Sequence, residues 1–176
     1  MKRLFMAAVL LWGLVGCIPV STLRDPRPAQ GTQFTVGGSL AFSPGAEGGA
    51  AAVPLVAIAR GDGQTEINAT AQLFGGRLGL KQRLANDLSL DLGVTLPLIL
   101  PTNSNEWPIA LDVGIIAGLG PVYISPRVLW MGSSSDSLGA QFSIGYATQG
   151  FIFEFSATGN GDFDSSILAF SGGIRF

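Results

Sequence analysis

Leu88-Ser89-Leu90-Asp91-Leu92-Gly93-Val94-Thr95-Leu96 alternates apolar with small or polar residues without a break. That is the period of a β-strand with two unlike faces. Just upstream, Leu78, Leu80 and Leu84 alternate with Arg77, Gly79, Lys81 and Arg83, and Ala85-Asn86-Asp87 separates the two runs. Asn and Asp side chains bond nearby backbone and tolerate tight dihedrals, so these three residues read as a turn and 77–96 as a β-hairpin. The fold then depends on which face of the hairpin meets water.

The same pattern recurs on both sides of the hairpin. From Gly31 onward, alternating segments of roughly ten residues are divided by turn signals, the sequence signature of a β-barrel that crosses a membrane. Ten strands are expected, at 32–42, 51–60, 64–74, 77–84, 88–96, 107–119, 122–131, 137–147, 150–158 and 165–176. The weakest is 51–60, apolar on both faces and interrupted by Pro54, a residue that breaks a ladder bond. Merging that region would leave eight strands.

Composition narrows the class. Only 12% of the 176 residues are charged, against about a quarter in an ordinary soluble domain. No apolar run long enough for a spanning helix follows the N-terminus. Two candidates remain, an unusually apolar soluble barrel and a transmembrane one. A soluble barrel of the lipocalin type turns its apolar face inward and covers its outside with Lys and Glu. Here the second face is Gly, Ser, Ala and Thr with a few charges, suited to a crowded interior, and Gln82 is the clearest polar exception on the apolar face. The expected fold is therefore an all-β, antiparallel, up-and-down transmembrane barrel, and which face of 88–96 points outward tests it.

Connection lengths agree with that expectation. Of the five expected outer connections, 43–49, 75–76, 97–106, 132–136 and 159–164, all but 75–76 are longer than any at 61–63, 85–87, 120–121 or 148–149, as in barrels with long outer loops and short periplasmic turns. Aromatics fall at matching strand ends: Phe42, Phe74, Trp107 and Trp130 on the long-loop side, Phe34, Tyr146, Phe151 and Phe176 on the other.

The N-terminus adds a compartment. Lys2 and Arg3 precede an apolar run, 4–15, too short to span a bilayer, the order of a secretory signal peptide. The run ends in Leu14-Val15-Gly16-Cys17, which resembles the bacterial lipoprotein signal, the lipobox. That resemblance implies a signal peptide at 1–16 and acylation of Cys17, the only cysteine. Ile18 follows in place of the Asp that retains such proteins at the inner membrane, which implies the outer membrane. Loss of 1–16 leaves 8 basic against 12 acidic residues, a net charge of −4, which disfavours a nucleic-acid partner. Residues 17–30, with Pro19, Pro26 and Pro28, read as a lipidated Cys and an extended tether. The barrel follows at 31–176, and its even strand count brings the anchor to the periplasmic side.

Over 31–176 the chain resembles the small bacterial outer-membrane β-barrel proteins. The sharpest point is the C-terminal Phe176, with Ile174 and Phe170 on the same face, similar to the terminal-strand signal read by the barrel assembly machinery. That signal commonly has Gly five residues before the final aromatic, whereas this chain has Ser171 there, with Gly172 and Gly173 displaced.

The residues that would carry chemistry are few. There is no histidine, which removes the usual general base and the commonest metal ligand. Asp91 and Asp112, inward on adjacent strands, are the one conceivable two-carboxylate site, with basic side chains near enough to pair with them. No enzyme activity, metal or cofactor is expected. Inward charges are expected at Arg60, Glu66, Arg77, Lys81, Arg83, Asp91, Asp112, Arg127, Glu154 and Arg175, with Glu66 and Asp91 facing the basic residues of 77–83 and Glu154 beside Arg175. Buried charges are costly unless paired, so an ion-pair lattice filling the lumen is expected. Inward Gly79, Gly93, Gly114, Gly139, Gly145 and Gly173 leave room for a narrow pore instead.

Three roles follow: a non-enzymatic lipid-anchored barrel with a structural or interaction role, a small pore for solutes or ions, and a soluble lipocalin-like carrier of an apolar ligand. The first implies outer-membrane lipids and the assembly machinery as partners. The acidic outer loops, with Glu47, Glu106, Asp136, Asp162 and Asp164, suit either an unidentified partner or simple solvation.

Overall fold

The computed structural model describes residues 21–44, 49–73, 75–97, 109–132, 137–160 and 166–176. Its elements are β1 (Gln30–Phe42), β2 (Ala50–Asp62), β3 (Thr65–Gln72), β4 (Gly75–Ala85), β5 (Leu88–Pro97), β6 (Ile109–Leu119), β7 (Val122–Gly132), β8 (Ser137–Ala147), β9 (Phe151–Asn160) and β10 (Ser166–Arg175). Each strand pairs antiparallel with its sequence neighbours, and β10 closes on β1, so the ten strands form an up-and-down barrel. The closing seam runs from Thr35↔Arg175 to Phe42↔Leu168 and is extended by paired bonds between Phe34 and Phe176 (N···O 3.1 and 2.9 Å).

The ten-strand count holds and the merged eight-strand alternative does not. Residues 50–62 form a full strand whose exposure alternates along its length. Pro54 is accommodated because the ladder to β3 begins one residue later, at Leu55↔Gln72, the edge position where a missing N–H is tolerated. Pro126 leaves a mark as well, falling where the β6–β7 ladder is broken between Gly114↔Arg127 and Ala117↔Ile124.

One end of the barrel carries the short connections 63–64, 86–87, 120–121 and 148–150, and the other carries 43–49, 73–74, 98–108, 133–136 and 161–165. These are called the turn end and the loop end. At the turn end Asp62 accepts the N–H groups of Gln64 and Thr65 (2.8 and 2.7 Å), while Gly63 and Gly120 adopt φ of +84° and +66°, which a side chain would resist. Trp107 and Phe74 lie outside the described residues.

The pleat places the apolar set outward. Leu92 and Leu96 are exposed while Ser89, Asp91 and Thr95 are buried. The same holds around the barrel, with Val36, Ile58, Ile67, Leu80, Val113, Val128, Phe142, Phe155 and Phe170 on the outside and Ser39, Asn68, Ser125, Ser143 and Ser171 within. Phe34, Tyr146, Phe151 and Phe176 stand outward toward the turn end, and Phe42 and Trp130 toward the loop end.

Candidate functional site

The lumen holds the charges in two groups. The first spans four consecutive strands: Arg77 on β4, Asp91 on β5, Asp112 on β6 and Arg127 on β7. Arg77 Nη2 lies 2.9 Å from Asp91 and 2.7 Å from Asp112, and its Nε donates to the other Asp112 oxygen at 2.9 Å. Arg127 Nη2 lies 2.6 Å from Asp91, and its Nη1 pairs with Asp112. All four side chains are buried and their charges cancel, as burial requires. Both carboxylates face both guanidiniums, Asp112 through both of its oxygens and Asp91 through Oδ2 alone, while the buried Asp91 Oδ1 has no hydrogen-bond partner among the described residues.

Glycines make this packing possible. Gly79 and Gly93 face each other across β4 and β5, and a Cβ on either would collide with the Arg77 guanidinium. Gly145 likewise gives up its space to the Tyr123 ring, and Gly114 gives up its own to the Arg127 stem. The room that suggested a pore is filled by neighbouring side chains.

The second group surrounds a stretch of chain inside the barrel. Residues 21–29, part of the stretch read as an extended tether, run up into the lumen from the turn end. There the Ala29 carbonyl accepts the Gly63 N–H (3.0 Å), and Pro26 sits against Gly118. Ser21, Thr22, Leu23 and Arg24 are buried. Arg24 pairs with Glu66 (3.3 Å) and donates to Thr70 (2.7 Å). Asp25 pairs with Arg175 (3.2 Å). Lys81, itself paired with Glu66 at 2.9 Å, donates to the carbonyls of Asp25 and Arg27 (2.9 and 3.2 Å), and Ser89 donates to that of Pro26. Ser21 Oγ and the Thr22 N–H donate to Glu154 (2.8 and 3.1 Å), and Gln72 holds the Ser21 carbonyl at 2.9 Å.

Leu23 supplies the apolar contact. It packs with Leu55, Ala57, Ile116, Tyr123, Ala147 and Ile152, all inside the barrel. Its φ is +44°, a left-handed conformation that costs a leucine roughly 1–2 kcal/mol, so its surroundings hold it there. Burial alone would raise the pKa of Asp25, but the Arg27 N–H and guanidinium, with Arg175, hold its carboxyl below the usual value. Beside the segment, between Arg24, Asp25, Glu66, Lys81 and Arg175, the remaining void is about 20 Å³, room for about one water.

Of the ten expected lumen charges, Glu66, Arg77, Lys81, Asp91, Asp112, Arg127 and Arg175 are buried members of the two groups. Glu154 is buried too, but its partners correct the expected pairing with Arg175. Tyr123 OH donates to it at 2.8 Å alongside Ser21 and Thr22. Arg83 lies at the turn end, half-buried, donating to the carbonyls of Gly63, Ala85 and Asn86, and so braces turns without joining an ion pair. Arg60 is on the wrong face for the lumen: it is exposed, in register with outward Ile67. The alternation of β2 puts Val53, Leu55, Ala57 and Ala59 inside and Val56, Ile58 and Arg60 outside.

Phe170, Ile174 and Phe176 share the outer face of β10 as expected. Cys17, the signal peptide at 1–16 and Glu47, Glu106, Asp136, Asp162 and Asp164 lie outside the described residues. The residues that sequence reasoning missed are those of 21–29 with their receptors Thr70, Gln72 and Tyr123. The available signal was the run 51–60, apolar on both faces, which left an apolar face turned into the lumen. No protein-family model and no curated protein matches the chain.

Proposed function

We propose that the protein is a closed, non-enzymatic β-barrel of the bacterial outer membrane, acylated at Cys17, with a structural or interaction role. The observation that carries this is the pairing of an apolar outer surface on every strand with a lumen filled by its own ion pairs and by residues 21–29. An outward apolar face suits lipid tails, whereas a carrier of an apolar ligand needs that face inside. Outer-membrane lipids are the first partner under this reading. The barrel assembly machinery is the second partner, with the outward row Phe170, Ile174 and Phe176 as its contact.

The periplasmic position expected for the anchor followed from the even strand count; residues 21–29 run into the lumen, and under this reading the outer membrane is the compartment of the barrel and its anchor. Single-channel recording on the detergent-purified protein in planar bilayers tests the closed barrel: a silent bilayer is expected, and steady, reproducible conductance overturns the proposal. Mass spectrometry of the mature protein tests the anchor, which predicts a diacylglycerol-modified Cys17 as the first residue.

A further inference from the structure

Residues 21–29 sit in the lumen as a ligand sits in a site. The walls divide the interior into two halves. Strands β4 to β7 carry the self-neutral cluster of Arg77, Asp91, Asp112 and Arg127, which touches the segment at no ion pair. The segment's own charges are met on the other half, lined by β8 to β10 and β1 to β3: Glu66 receives Arg24, Arg175 receives Asp25, and Glu154 receives Ser21 and Thr22. Lys81 on β4 and Ser89 on β5 hold its backbone carbonyls from the cluster side, and Leu23 packs on apolar side chains of both halves, Leu55, Ala57, Ile116, Tyr123, Ala147 and Ile152. Toward the loop end this half carries Ser39, Ala41, Val53, Gln141, Thr158, Ala169 and Ser171, all buried. Removing the segment would vacate the part of the lumen it fills, from the turn end to Gln72 and Glu154.

We propose that this half of the lumen is a peptide-binding channel whose resident ligand is 21–29, and that displacing the segment opens a water path through the barrel. The ligand class is an extended peptide with an apolar residue, a base and an acid in succession, as Leu23-Arg24-Asp25 supplies. Recognition is electrostatic at two opposed points. Arg24 and Asp25 are adjacent in sequence yet reach Glu66 on β3 and Arg175 on β10, so a peptide with the two charges exchanged would meet like charges at both. The barrel's own four cations and four anions in the lumen, Arg77, Lys81, Arg127 and Arg175 against Glu66, Asp91, Asp112 and Glu154, already balance. Departure of the segment takes Arg24 and Asp25, one buried cation and one anion, out of the lumen together with the exposed Arg27, and leaves the balance among the wall charges intact.

This inference rests on the closed-barrel proposal above and is tested in the full chain by Asp25→Arg, which sets a cation against Arg175. The variant should conduct steadily in planar bilayers where the unaltered protein is silent, and trypsin should cut it after Arg24, a bond protected in the unaltered chain. Adding Arg175→Glu to the same chain restores an opposite-charge pair and should close it again. A synthetic peptide of residues 21–29, at the roughly millimolar effective concentration that a short tether provides, should block D25R, and a scrambled peptide should not. Heat-modified gel mobility reports whether D25R is folded, and Asp25→Asn, which deletes the charge without reversing it, provides a milder opening in case it is not. A folded D25R or D25N barrel that is cut after Arg24 and still silent overturns the channel. A conducting unaltered protein overturns the closed barrel and this inference together.

Discussion

Arg77 reaches two carboxylates on two further strands and lies over two glycines; each of these contacts sets a consequence for substitution. Replacing Asp91 with Leu would strand one of the two guanidiniums it serves in a buried site, a loss of about 3–5 kcal/mol. Urea titration followed by heat-modified gel mobility should show D91L unfolding well before the unaltered chain, and unchanged mobility would count against the pairing. Gly93→Ala puts a Cβ into the Arg77 guanidinium, where overpacking costs about 1–3 kcal/mol. Arg60→Leu, on the outer face with no partner among the described residues, should change stability by no more than about 0.5 kcal/mol. The contrast between Arg60 and Arg77 shows how far single residues were legible. Arg77 sits in a strand of clean alternation, so its inward direction could be counted from its neighbours. Arg60 ends a strand apolar on both faces, where a charge gave the only hint of direction and gave the wrong one.

At the scale of elements, the strands were legible and the segment before them was not. Local alternation is a property of each strand's own residues, so ten strands could be placed within a few residues of their observed bounds. Residues 21–29 have no period, and their conformation is set by receptors 40 to 130 positions away, such as Glu66 and Glu154, which no local pattern reports. The inner apolar face of β2 was visible, but its meaning came only with Leu23 packed against Leu55 and Ala57. Leu23→Ala should cost about 2–5 kcal/mol of docking, read as faster trypsin cleavage after Arg24. Asp25 adds a pH dependence. Its pKa is lower in the docked segment than in a free one, so docking favours the ionised form. That contribution is complete above the ordinary carboxylate value, near pH 4, and is lost as pH falls through the docked value. Hydrogen exchange at the 22–25 amides, corrected for its intrinsic rate, should accelerate below about pH 4, and Asp25→Asn should show the faster exchange at neutral pH and a smaller acid response.

The whole molecule is governed by the inversion of its faces. Among the described residues, 31 large apolar side chains are exposed, distributed over all ten strands, far beyond the single patch of a few hundred Å² that a soluble monomer shows. A lone apolar patch could be an interface with one partner. An apolar surface on every strand of a closed barrel suits a partner that surrounds it, as the lipid of the proposed membrane would. Under the proposed function, membrane affinity has two sources, the acyl group expected at Cys17 and the apolar outer face of the barrel. The two sources separate in a Cys17→Ser chain with its signal rendered cleavable, which carries no acyl group. That protein should still resist extraction from membranes by alkaline carbonate, remain folded in detergent with heat-modified mobility, and aggregate when detergent is removed. A monomeric, folded C17S protein in plain buffer would mean that the outer face tolerates water, and the lipid-facing assignment of Leu78, Leu92, Phe142 and their neighbours would fall with it.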